Sequence, residues 1–137
     1  MSGHDKLARI SAIVDGKDWR AANRPPLTYR GRVAGAHYYY GAFDWSQQTA
    51  RQGARQGDVL AAIREPDNPY DRHAIALWTF DAQVGHVPAS VACDLAPLMD
   101  AGYPLWVQVW REAIKDEPAE IEIVYFGPAI DEWRDRQ

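Results

Sequence analysis

The stretch EPDNPYDRHAIAL, residues 65–77, sets Tyr70, Asp71, Arg72 and His73 between Pro69 and an apolar run. Pro69 fixes its own φ and restricts Asn68 before it, so the loop loses little entropy when it meets a ligand. Tyr70 offers a ring on which a planar group can stack. Asp71 repels a phosphate but accepts a hydrogen bond from a hydroxyl; an Asx-type turn, in which the carboxylate caps its own loop, explains it equally well. A second stretch, GAHYYYGAF (residues 35–43), carries three consecutive tyrosines. Read as a strand, it puts Tyr38 and Tyr40 on one face and Tyr39 on the other. Those rings either pack within a sheet or form a platform for stacked bases, a contact worth about 1–3 kcal/mol per base.

Metal and covalent chemistry find little support. His4, His37, His73 and His86 fall into no HExxH spacing, and Cys93 has no second cysteine to complete a CxxC pair. Cys93 lies two residues before Leu95 in a helical segment and reads as an ordinary core or surface cysteine. No GxxxxGK[ST] or GxGxxG loop is present, so nucleotide hydrolysis has no sequence basis. A nuclease would rest on Asp71, His73 and His86 alone, without the clustered carboxylates that bind catalytic metals. The expectation is a non-catalytic protein with no metal and no cofactor.

The elements that must position these residues follow from periodicity. Leu7, Ile10, Ser11 and Val14 have helical spacing, and Pro25–Pro26 separates this N-terminal extension, residues 1–26, from the rest of the chain. From Leu27 to Gly127 the pattern is mainly that of strands. Residues 41–58 read as a polar loop with a short helical stretch, and DVLAAIREP as a buried strand. HAIALWTFDAQVGHVP gives two strands joined by a turn at Phe80–Gln83. A helix opened by Pro88 or Ser90 carries Val91, Leu95, Leu98 and Met99 on one face and stops at Gly102. YPLWVQVWRE and AEIEIVYFG both alternate as strands, and residues 128–137 form a short tail, polar apart from Ile130 and Trp133. Many short strands with one or two helices imply a small barrel or sandwich.

Composition bounds the reading. The 137 residues suit one domain, large enough to bury about 68% of its unfolded surface without disulfides or metals. A lone cysteine points to a reducing, cytoplasmic setting, and no apolar run approaches the length of a membrane span. The net charge of −4 disfavours a purely electrostatic polyanion binder. Its distribution is uneven: eleven Lys or Arg against eight Asp or Glu up to residue 72, then four against eleven. Arginine, whose planar fork suits phosphate, dominates the basic half.

Three blocks in order, VAGAHYYYGA, GDVLAAIREPDNPYDRHAIAL and VGHVPASVACDLAPLMDAG, resemble a HIRAN domain. That module occurs at the N-terminus of some Swi/Snf-type fork-remodelling helicase proteins and as a free-standing bacterial protein. The resemblance spans about residues 30–127 and implies an OB-like β-barrel of about six strands with one or two short helices. It implies binding of single-stranded DNA with recognition of the 3′-hydroxyl end, in DNA repair. Carried over by residue, Tyr38 and Tyr70 hold the terminal bases, Asp71 accepts from the 3′-hydroxyl and His86 meets a phosphate; His37, Tyr39 and Arg72 lie beside them. Two basic positions of the best-studied eukaryotic member are missing, replaced here by His37 and Ala89, and Arg32, Arg64 or Arg72 would have to substitute. The expected partner is a single-stranded 3′ end, with a separate helicase or nuclease protein as a second. A protein-interaction adaptor using the same aromatic groove is the alternative.

Overall fold

The structure, a computed structural model, describes residues 30–39 and 41–137; the expected helix at residues 7–14, the extension 1–26 and Tyr40 lie outside them. The described residues form eight strands: β1 (Arg30–Arg32), β2 (Phe43–Asp44), β3 (Thr49–Ala50), β4 (Val59–Arg64), β5 (Ile75–Trp78), β6 (Gln83–His86), β7 (Trp106–Arg111) and β8 (Glu122–Phe126), the longer ones built on alternating apolar residues. Six of them form one antiparallel sheet in the order β1-β8-β7-β4-β5-β6, and β2 and β3 form a separate hairpin. The sheet curls until its outer strands approach each other. Ala34, just past β1, exchanges both backbone hydrogen bonds with His86 at the end of β6, at 2.8 and 2.9 Å. The fold is thus mainly β and OB-like, as the sequence implies.

One face of the curled sheet supplies the core. Val107 and Val109 of β7 and Ile123 and Tyr125 of β8 share that face, while Trp106, Trp110, Val124 and Phe126 form a smaller cluster on the other. The helix α1 (Ala89–Asp100) covers the core with Ala92, Leu95, Ala96 and Leu98, all buried. It starts at Pro88, whose carbonyl accepts from Val91 and Ala92, and the backbone turns out of it at Gly102. A second helix, α2 (Pro128–Asp135), packs on α1 and buries Ala129 and Ile130.

Several expectations need correction. The segment read as a polar tail contains α2, because Ala129 and Ile130 reach the core although charged residues follow them. The strand expected to be buried, β4, buries only Leu60 on its inward face and leaves Val59 and Ile63 exposed, as an antiparallel strand with one solvated side does. No helix forms in residues 41–58. Asp44 instead accepts from the backbone of Ser46 and Gln47 and from the Ser46 hydroxyl, which closes the β2–β3 hairpin.

The tyrosine stretch also departs from a strand. After the Ala34 bridge the chain turns at Gly35 (φ 71°) into a 3₁₀ turn over Ala36–Tyr38, and Tyr39 returns to extended backbone. Close packing forces this path. A Cβ on Gly41 would collide with the Gln83 carbonyl, and one on Gly85 would meet Val33 and the Ala34 carbonyl, so β6 and this segment touch backbone to backbone. Among the described residues no helix is long and apolar enough to cross a membrane.

Candidate nucleic-acid interface

The loop between β4 and β5 is organised by its own side chains. The Asn68 Oδ1 accepts from the backbone N–H of Tyr70 at 2.9 Å and of Asp71 at 3.0 Å. Since backbone N–H groups only donate, the amide orientation is fixed, and Nδ2 is left to donate to Glu65 Oε1 at 3.2 Å. Asp71 Oδ1 in turn accepts from the His73 N–H at 2.8 Å. Asp71 therefore does cap its own loop, but with one oxygen. Its Oδ2 has no hydrogen-bond partner among the described residues.

Arg64 braces the same loop from beneath. Its guanidinium donates to the carbonyls of Ala74 at 2.7 Å and Arg72 at 2.9 Å, and holds Asp100 of α1 through two bonds at 2.9 and 3.1 Å. The hydrogen bond from Arg64 keeps the Asp100 carboxyl below its ordinary value. Arg64 is thus committed to structure, and Arg32 pairs with Glu120 at 3.1 Å. Of the arginines expected to replace the missing charges, Arg72 is exposed and makes no side-chain ion pair among the described residues.

Facing the loop, His86 completes a polar chain. Its Nε2 lies 2.6 Å from Glu65 Oε1, and because a carboxylate only accepts, Nε2 carries the hydrogen. Its Nδ1 is 3.5 Å from the Tyr39 hydroxyl, with the two rings tilted at 56° and their centroids 5.8 Å apart. Tyr39, His86, Glu65 and Asn68 thereby connect the sheet closure to the loop that carries Tyr70 and Asp71. These residues enclose an open cavity of about 400 Å³.

Four of the sequence-predicted residues, Tyr39, Tyr70, Asp71 and His86, line that cavity together. Tyr70 is 97% exposed at its rim. Tyr38, 75% exposed, sits on the adjacent 3₁₀ turn outside the lining, as does the backbone of His37; Arg72 is also outside. Ala89, where the resemblance expects a lysine, forms part of the wall. Glu65 and Asn68 were missed by sequence reasoning. The signal for Asn68 was its place before Pro69 and two residues ahead of Tyr70, an Asx spacing; Glu65 carried none, since only folding brings it to His86. Among the described residues no three His, Cys, Asp or Glu side chains are grouped to hold a metal.

A curled antiparallel sheet that bears an aromatic and acidic cavity where its edges meet defines a small OB-type binding module. The HIRAN domain family model matches residues 27–124, and the chain belongs to that family. It is 36% identical over 74 residues to the helicase-like transcription factor of Mus musculus, a match that covers 53% of this chain and 6% of that protein. The human protein of the same name is 36% identical over 72 residues, again 6% of its length. The chain therefore matches a small fraction of the curated relatives' length. Among solved structures, the HIRAN domain of human HLTF superposes with a TM-score of 0.55 at 25% identity, covering 78% of this chain and 83% of that one. A Lactobacillus plantarum protein shares the fold with a TM-score of 0.56 at 24% identity, over 71% of this chain and 88% of its own.

Proposed function

We propose that this HIRAN domain binds single-stranded DNA without catalysis and recognises its free 3′-hydroxyl end. The observation that carries the reading is a cavity with the exposed Tyr70 at its rim and Asp71 in its lining, whose Oδ2 has no hydrogen-bond partner among the described residues. The Asp71 carboxylate accepts a hydrogen bond from a terminal hydroxyl but repels a terminal phosphate, so selectivity for the end needs no base readout. Tyr38 and Tyr70, the exposed tyrosines among the described residues, take the terminal bases by stacking, while the exposed Arg72 meets a phosphate between them and His86 reaches one only by giving up its bond to Glu65. With Arg64 and Arg32 already paired, binding depends more on stacking than on counterion release. Homology to a helicase-like transcription factor favours a nucleic-acid ligand over a peptide, and a separate helicase or nuclease is the natural user of an end-binding module. The exposed free thiol of Cys93 suits a reducing, cytoplasmic setting.

Fluorescence-anisotropy titration with otherwise identical oligonucleotides ending in 3′-hydroxyl or 3′-phosphate tests the proposal. The hydroxyl end is expected to bind at least tenfold more tightly. Asp71→Ala brings the ratio towards one, whereas Tyr70→Ala weakens both ligands by about fivefold or more, the loss of one stacked base. Equal affinity for the two ends, or none for either, overturns it; a protein partner displaced by neither oligonucleotide would point to the adaptor role instead.

A further inference from the structure

Two large aromatic side chains stand exposed outside the end cavity. Trp45, at the β2–β3 hairpin, is 55% exposed, and Phe80, at the β5–β6 turn, is 91% exposed. They come from separate elements yet line one open cavity of about 630 Å³, together with Gln47, Gln52, Arg51 and Arg55. Trp45 is held in place edge-on to the buried Phe43, at a centroid distance of 4.8 Å and an angle of 71°. Stacking surfaces, amides that can bond to base edges and guanidinium groups are the combination a single strand requires.

The charges leave room for phosphate. Asp44 and Asp81 also line the cavity, but Asp44 already accepts the hydrogen bonds that close its hairpin, and Asp81 lies 3.7 Å from Arg51. Arg55 is exposed, its Nε donates to the Ala50 carbonyl at 3.3 Å, and no carboxylate pairs with its guanidinium among the described residues. The cavity's lining is also linked to that of the end cavity through shared residues. A depression of about 180 Å³ is lined by Tyr39, Phe43 and Trp45 among others. Tyr39 belongs to both the end cavity and this depression, and Phe43 and Trp45 belong to both the depression and the larger cavity.

We propose that the cavity of Trp45, Phe80 and Arg55 is a second nucleotide-binding site, which takes the strand as it runs back from the 3′ end past Tyr39. The inference rests on the end-binding reading for its direction but on different residues for its contacts. Trp45 and Phe80 stack bases two or more nucleotides from the end, and Arg55 meets the backbone.

Anisotropy with 3′-hydroxyl oligothymidylates of three and nine nucleotides tests it on the full chain. Wild type is expected to bind the nonamer at least tenfold more tightly than the trimer, the order of one or two added stacks. W45A/F80A should remove that gain while leaving trimer affinity and the preference for a 3′-hydroxyl intact, and R55A should flatten the salt dependence of nonamer binding alone. Phe80→Ala by itself, at a nearly fully exposed position, guards against a folding artefact. Equal affinity for trimer and nonamer, or a length gain untouched by these variants, overturns the proposal and leaves the cavity to a protein partner. Nonamer binding that is lost in W45A/F80A but indifferent to end chemistry supports this site while sinking the end-recognition reading.

Discussion

At the scale of the residue, Asn68 and Glu65 matter more than their chemistry suggests. Neither is a stacking or phosphate-binding type, yet Asn68 accepts two backbone hydrogen bonds and Glu65 receives both His86 and Asn68. Net hydrogen bonds contribute about 1 kcal/mol each, so Asn68→Ala should loosen the loop by about 1–2 kcal/mol. Titration of a 3′-hydroxyl oligonucleotide is expected to show about tenfold weaker binding in this variant, with Asp71 unchanged in sequence but no longer held at the cavity. Unaltered affinity would mean that Pro69 alone stiffens the loop.

At the scale of the element, Arg64 ties β4, the β4–β5 loop and α1 into one unit. Through Asp100 this tie is sensitive to pH. The carboxyl is held below its ordinary value of 3.8 by the bond from Arg64, so the folded protein binds its proton less readily than the unfolded chain. The resulting stability is complete above the ordinary value and is lost as pH falls through the lower, folded one. Asp100 is more than half exposed, so the contribution is under about 1 kcal/mol. Urea denaturation should find Asp100→Asn less stable than wild type at pH 7, with the gap closing as pH is brought below 3.8. Most elements were legible from period alone: β5, β6, β7, β8 and α1 all fall where alternation or helical spacing puts them. The tyrosine stretch was not, because its β propensity is overridden by the turn at Gly35 and the backbone contact at Gly41. The β2–β3 hairpin was also missed, since two-residue strands leave no periodic signal.

At the scale of the whole molecule, the C-terminal helix belongs to the core. Ile130 is fully buried against the cluster that includes Leu95 and Leu98. Ile130→Ala is therefore expected to cost about 2–5 kcal/mol, the range for deleting a buried aliphatic side chain. Chemical denaturation reads this directly, and a change under 0.5 kcal/mol, about that of a surface site, would show α2 to be dispensable. The same helix supports α1, which carries Asp100 and so braces the β4–β5 loop. Sheet closure at Ala34 and His86 plays the matching role in front, because one residue both joins the sheet edges and lines the cavity.

The amino-acid sequence by itself determined the strand and helix periods, the stiff PDNPYD loop and the three blocks that mark a HIRAN domain. These are local or nearly local properties, set by backbone preference and by the alternation of apolar side chains. Tertiary structure alone decided which tyrosine enters the cavity, that Glu65 meets His86 across 21 positions of chain, and that Arg64 is spent on Asp100 rather than left for phosphate. It also brought Trp45 and Phe80 to one cavity from different turns. Such pairings depend on how far the sheet curls before its edges meet, which is set by the sum of all core contacts and by close backbone approach at two glycines.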